Sequence, residues 1–333
     1  MIDAEDIFMR WMIVAVGLIA GLSLSGAQAQ TWPGKTVRIV VPHTAAAPFD
    51  GELRAFAQSL TQAFGQPFVL ENRDGADGAI GAEACARAAA DGYTLCATTS
   101  SVVSLNPAIY AKLPYDPVRE FAPIVHVGVL NSVVIANPSV PVNSFRELMQ
   151  LARAKPDVVT FATMGNTSFG SLLLGWLKVK QGIALYGVPY KNATQGMTGT
   201  MAGEVQVTTY ALGQIVPMVK SGKLKALAIV GGKRSSFLPE VPTLAEEGLD
   251  MPVPRNWIGM FAPIGVSKDI IGRVNGEVAR VIASPGFKDK FMLARGVEAD
   301  EFTGGSVDAF AAFLKTDREE YAQIVSVIGL ARR

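Results

Sequence analysis

Apolar positions along this chain follow two periods that alternate with each other. Residues 36–41 form a β-rich run that stops at Pro42 and predicts a strand. Leu53, Phe56, Ala57 and Leu60 then recur at helical spacing, with Asp50 placed to cap the helix and Arg54 and Gln58 on its polar side. Residues 66–71 read as a second strand. A Gly-rich loop at 75–81 leads into an Ala-rich helix around 83–89, and Asp91-Gly92 turns the chain into a strand at 93–98. Strands and helices in this order predict a parallel sheet covered on both faces.

A second α/β unit begins near Leu130. Ser144 and Glu147 make a capping box, followed by an apolar stripe of Phe145, Leu148 and Leu151. A strand at 158–162 runs into a polar loop, and Leu172, Leu173 and Leu177 mark the next helix. Further strands are predicted at 204–209 and 224–230, with 257–262 returning to the first unit. Helices at 269–282, 285–295 and 307–328 close the chain. The fold class expected is therefore α/β in two lobes, each a mainly parallel sheet flanked by helices. Lobe 1 takes residues 30–127 plus 256–333 and lobe 2 takes 128–255. Two chain crossings, near 125–130 and 252–257, form a hinge.

The ends and the composition narrow the class. The apolar run from Trp11 to Leu24, followed by Ala27-Gln28-Ala29, has the form of a signal peptide spanning 1–29 with cleavage after Ala29. Asp3, Glu5 and Asp6 stand where positive charge is expected, so Met9, followed by Arg10, is the expected true start. The chain holds 30 Lys and Arg against 29 Asp and Glu. Without the leader this becomes 29 against 26, near +3, too little to imply nucleic acid or an anionic membrane as partner. Later apolar runs are interrupted within ~15 residues, which leaves no membrane span after the leader. Cys85 and Cys96 fall on a helix and the strand after it. In an oxidising compartment they form either a disulfide or two small buried hydrophobes.

In open parallel sheets, ligands sit outside the carboxyl ends of the strands. The polar loops here all follow predicted strands. Thr44, Ala45, Ala46 and Ala47 follow the first. Gly78, Ala79 and Ile80 lie in the Gly-rich loop, and Thr99 and Ser100 follow the third strand. Thr163, Gly165, Asn166, Thr167 and Ser168 form the loop of the second unit. Several of these loops lead into helices, whose first N–H groups lack intrahelical partners and attract anions. Hydrogen bonds to a charged group contribute ~1.5–3 kcal/mol each, so three to five suffice for micromolar binding without a buried cation. Tyr190, Tyr210 and Trp257 are candidate walls, although a large aromatic is equally at home in a core. Gly75, Gly78 and Gly81 lack a phosphate-loop fingerprint.

At these same loops the chain resembles the Bug family, the substrate-binding proteins of tripartite tricarboxylate transporters. The resemblance rests on Thr36-Val-Arg-Ile-Val-Val-Pro42, Gly65-Gln-Pro-Phe-Val-Leu-Glu-Asn-Arg73, Gly78-Ala-Ile-Gly81, Asp91-Gly-Tyr-Thr-Leu95 and Leu113-Pro-Tyr-Asp-Pro117. Val188-Pro-Tyr-Lys191, Gly222-Lys-Leu-Lys-Ala-Leu-Ala228 and Leu238-Pro-Glu-Val-Pro-Thr243 extend it over nearly the whole mature chain. It implies a type II periplasmic-binding fold and no catalysis; the leader sets the periplasm as the expected compartment, no His, Cys and Asp cluster has metal-ligand spacing, and no cofactor and a monomer are expected. The resemblance also implies capture of a small organic anion, such as a dicarboxylate, amino acid or aromatic acid, for membrane permease subunits. The chain departs from the family pattern at the cleft: Ala46 and Ala47 stand for glycines, Thr167 for a glycine and Ser171 for a histidine. A sensor for a membrane receptor kinase would share these features. A secreted hydrolase would have only His43 and His126 as histidine bases, with no nucleophile elbow to partner them.

Overall fold

The computed structural model describes residues 32–45, 49–129, 131–156, 158–165, 168–252, 255–287 and 304–330. The expected leader and the Met9 start lie outside the described residues, as do Ala46, Ala47, Asn166 and Thr167. The helix expected at 285–295 is described only as far as Phe287. All the strands and helices described belong to one unit, Lys35–Arg333.

The first run of elements is β1 (Val37–Val41), α1 (Asp50–Phe64), β2 (Phe68–Asn72), α2 (Ala79–Ala86) and β3 (Thr94–Thr99). A π-helical turn, Ser101–Leu105, and α3 (Asn106–Ile109) lead to β4 (Phe121–Val129). The second run is β5 (Ser132–Ala136), α4 (Phe145–Ala154), β6 (Thr160–Thr163), α5 (Phe169–Gln181), β7 (Tyr186–Pro189), α6 (Ala193–Ala202), β8 (Val207–Ala211), α7 (Leu212–Lys220) and β9 (Lys225–Val230). The chain returns through β10 (Trp257–Pro263), α8 (Lys268–Ala283), α9 (Pro285–Phe287) and α10 (Val307–Ile328).

Two five-stranded sheets result, ordered β2-β1-β3-β10-β4 and β7-β6-β8-β5-β9. Strand β1 pairs in parallel with β2 and β3, whereas β10 runs antiparallel to β3 and β4. In the second sheet β6 is parallel to β7 and β8, and β5 is antiparallel to β8 and β9. In each sheet the single reversed strand is the one that has just arrived from the other lobe. The sheets are thus mixed by one strand each, on a two-lobed α/β plan.

Local signals hold in most places. Ser144 caps α4 by accepting from the Glu147 N–H at 3.1 Å, and the Glu147 carboxylate accepts from the Asn143 N–H at 2.6 Å. Asp50 does not cap α1. The cap position falls one residue earlier, at Phe49, and Asp50 takes Arg54 in an ion pair of 2.7 Å instead. Cys85 and Cys96 are joined in a disulfide between α2 and β3, with Cα atoms 6.2 Å apart. Helix α6 and the π-helical turn carry no clear apolar stripe in sequence, and Pro217 inside α7 masks that helix. Only the structure reveals these three.

Helix α10 spans both lobes. Its start packs Phe310 and Leu314 with Trp257, Phe261 and Val103 in the first lobe. Its end packs Tyr321, Ile324 and Val325 with Leu172, Leu173 and Trp176 in the second.

Candidate binding cleft

In the first lobe, the loops after β1, β2 and β3 meet. A methyl group on Gly81 would lie 2.6 Å from the Arg73 carbonyl oxygen and 2.7 Å from the Pro42 Cα, so the backbones touch there. One on Gly78 would lie 2.7 Å from the Val102 side chain. Asn72 Nδ2 donates to the His43 carbonyl at 3.1 Å, and Asn106 Nδ2 donates to the Asp77 carbonyl at 2.9 Å. Between them, Ala76 and Asp77 hold positive φ values of 49° and 53°, a conformation that costs free energy outside glycine. His43 Nε2 lies 3.2 Å from Thr99 Oγ1. Burial lowers the His43 pKa to about 4, against a weaker opposing pull from Asp74, so its ring is neutral at pH 7.

In the second lobe, the loop after β6 is held by the cap of α5. Ser168 Oγ accepts from the Ser171 N–H at 3.2 Å and lies 3.0 Å from Ser171 Oγ, which in turn donates to the Gly165 carbonyl at 2.5 Å. The Ser168 hydroxyl is therefore occupied by the helix, and the backbone N–H groups of the first turn remain as the donors this loop offers. The Thr163 carbonyl accepts from the Tyr190 N–H at 2.8 Å. Tyr210 Oη lies 3.1 Å from Thr194 Oγ1 at the start of α6.

Between the lobes lies a cavity of about 690 Å³. The second lobe supplies Met164, Ser168, Thr209 and Tyr210 from the carboxyl ends of β6 and β8. The first lobe supplies Ser101 beyond β3 and His126 and Val129 from β4. The crossings add Asn131, Ser132, Arg255 and Asn256, and α10 adds Ala309, Phe310, Phe313 and Tyr321. Arg255 and Lys233 are exposed cations between β9 and β10, and the described lining contains no carboxylate.

Of the predicted site residues, Ser168 and Tyr210 line this cavity. Ser100 is buried one step behind it, accepting from the Tyr321 hydroxyl at 3.2 Å. Thr99, Gly78 and Ala79 are buried where the first-lobe loops join, whereas Thr44, Ala45 and Ile80 are exposed. Thr163 and Gly165 stand beside Met164 without lining the hollow themselves. Tyr190 lies across Gly196 and Gly199 of α6 instead of facing it. Trp257 is not a wall: it is fully buried behind His126 and Phe313, with ring centroids 5.9 and 5.7 Å away. Burial, with Arg255 adding to it, lowers the His126 pKa to about 4, so this ring too is neutral at pH 7. Sequence reasoning missed Arg255, Lys233 and the α10 aromatics. The place of Arg255 at the expected second crossing was the one available signal.

A family profile described as "Tripartite tricarboxylate transporter family receptor" matches residues 53–330 of the chain. The chain belongs to that family. Protein BugT of Bordetella pertussis is 31% identical over 280 residues, covering 84% of each chain. The structure of R. palustris Rpa4515 with adipate superposes with a TM-score of 0.79 at 28% identity, covering 91% of this chain and all of the other. Periplasmic binding protein BugD superposes with a TM-score of 0.77, also at 28% identity, covering 91% of this chain and all of that one. These two solved structures share this two-lobed plan along their whole length. No helix among the described residues is long and apolar enough to cross a membrane.

Proposed function

We propose that this receptor captures a small carboxylate between its lobes, in the periplasm, and presents it to the membrane permease subunits of a tripartite tricarboxylate-type transporter. The observation that carries this reading is the charge of the cavity. Two cations, several hydroxyls and neutral imidazole line it, with no carboxylate among the described lining residues. In a hollow partly screened from water, that set favours an anion. The adipate held by the R. palustris relative supports the same class of ligand. The lobe limits of 30–127 plus 256–333 and 128–255 belong to this reading, with the far end of α10 riding on the second lobe.

The reading includes no catalytic step. His43 is neutral, and its hydroxyl neighbour Thr99 is buried outside the cavity lining. His126 is packed against Phe310 and Phe313, with centroids 5.4 and 4.5 Å away. The test is a thermal-shift screen of carboxylates, sugars and cations on the mature chain, followed by titration calorimetry. A ligand at ~100 times its Kd stabilises the fold by ~2.7 kcal/mol. The expected result is a hit among the carboxylates. Hits confined to sugars or cations would overturn the reading.

A further inference from the structure

The second crossing brings a cation and a carboxylate to one end of the cleft. Arg255 lines the cavity two residues before Trp257 and is exposed there. Trp257 is packed on α10, with ring centroids 5.6 Å from Phe310 and 5.7 Å from Phe313, and it neighbours Asp317. Glu320 follows Asp317 by about one helical turn and directly precedes Tyr321, which lines the cavity. Two helical turns separate it from Phe313, so it shares the face of α10 on which that lining residue stands. Glu320 is half-buried and stands behind the lining.

Its own helix offers Glu320 no counter-charge. The residues three and four positions away are Asp317, Thr316, Gln323 and Ile324, none of them a cation. Burial raises the Glu320 pKa, and the positive charge that opposes the rise is Arg255. The same guanidinium adds to the lowering of the His126 pKa that burial begins, so its charge reaches both β4 and α10. No hydrogen bond or close ion pair fixes Arg255 to Glu320 among the described residues. The side chain is attracted to α10 without being locked to it.

We propose that Arg255 grips the ligand's carboxylate and that Glu320 is its positioning residue, an internal competitor that draws the guanidinium toward α10 when the cleft is empty. This rests on the carboxylate reading above and deepens it by naming the pair that sets the grip. A guanidinium meets a carboxylate best as a planar fork, with two parallel N–H bonds to one partner. Arg255 must therefore relinquish much of its attraction to Glu320 to hold a ligand squarely. The affinity is the difference between the two pulls. A counter-charge waiting on α10 also eases release, because it takes the guanidinium back as the carboxylate leaves.

The test is a binding cycle at pH ~8 and low salt, where carboxylates are ionised and screening is weak. Adipate, malate and hexanoate are titrated by calorimetry into the native chain, Arg255→Gln, Glu320→Gln, Glu320→Asp and the double variant Arg255→Gln with Glu320→Gln. Arg255→Gln should weaken the acids that bind by about tenfold or more, and Glu320→Gln should tighten them by about threefold or more. Glu320→Asp keeps the charge and should stay within about twofold of native. In the Arg255→Gln background, the tightening from Glu320→Gln should all but vanish. Equal tightening with and without Arg255 would mean plain repulsion of the ligand by Glu320 and would overturn the inference. It would also fall if Arg255→Gln bound as tightly as native, or if Glu320→Asp tightened binding as much as Glu320→Gln. The carboxylate function survives each of those results. Silence from all three acids in every variant would sink the function and the inference together.

Discussion

The two lobes share one strand order but finish their loops by different chemistry. In the first lobe the turns after β1, β2 and β3 are wedged against each other through glycine: the Gly81 Cα faces the Arg73 carbonyl and Pro42 with no room for a side chain. A disulfide ties the neighbouring helix to the sheet. In the second lobe the loop after β6 has open space around Gly165 and is organised by hydroxyls, with Ser168 and Ser171 capping α5. Close backbone packing fixes the first-lobe loops beside the cleft, whereas replaceable side-chain hydrogen bonds shape the second-lobe loop that borders it. A receptor family can retune its ligand more cheaply on the second kind of surface, because a changed hydroxyl costs less than a backbone clash.

This contrast can be broken by experiment. The largest effect is expected from removing the disulfide. Cys85→Ala with Cys96→Ala should lower unfolding stability by about 3 kcal/mol in urea titration, and a loss under ~1 kcal/mol would mean the first lobe does not depend on that tie. Gly81→Ala should cost about 2–3 kcal/mol, since two backbone atoms would have to move. Gly165→Ala in the second lobe meets no neighbour and should cost only the ~1 kcal/mol of a residue held at φ +60°. Equal losses for the two glycine variants would erase the distinction between the lobes.

A further test uses the buried carboxylate on α10, the helix shared by both lobes. Desolvation raises the Asp317 pKa to about 6, opposed by the neighbouring Ser104 and Trp257 polar groups and by Arg318, with Glu320 adding to the rise. The folded chain holds this proton more tightly than the unfolded chain. Its stabilising contribution is therefore full below pH ~4 and is lost as pH rises through about 6. Asn at this position does not titrate. The stability of Asp317→Asn relative to native should climb by about 2 kcal/mol between pH ~4 and pH ~8, read as a difference of urea midpoints. A difference flat with pH would show Asp317 ionised at no cost. The smallest effect is expected at the α5 cap, where Ser168→Ala should remove about 1 kcal/mol of stability.

Much of the fold was legible in the chain. Helices α1, α5, α8 and α10 show their period because each buries one face, whereas β1, β3 and β9 are readable as short β-rich runs bounded by turns, being buried at nearly every residue. The capping box at Ser144 and the return of β10 were also readable. The reversed strands were not, because β5 and β10 are apolar on both faces and their sequences carry no direction. The site was half legible. Ser168 and Tyr210 could be found because one caps the helix after β6 and the other ends β8, both at the carboxyl side of the sheet. Arg255 and Lys233 sit in an irregular segment, where a lone cation looks like any surface charge. Phe310 and Phe313 fall on the last helix with nothing in the sequence to single them out, and Phe310 lies at the edge of the cavity from within the core. Trp257 went the other way for the same reason: position beside a crossing does not say which side of the strand an aromatic faces.

Helix α10 is rooted near Trp257 at one end and beside Trp176 at the other. A clamshell swing about two threads alone would be almost free, but a rod fastened to both shells must slide or flex as they approach. Each angle of the stroke then carries its own mechanical cost. That cost would be read most directly in how far the empty receptor gapes once the rod is cut after Asp317.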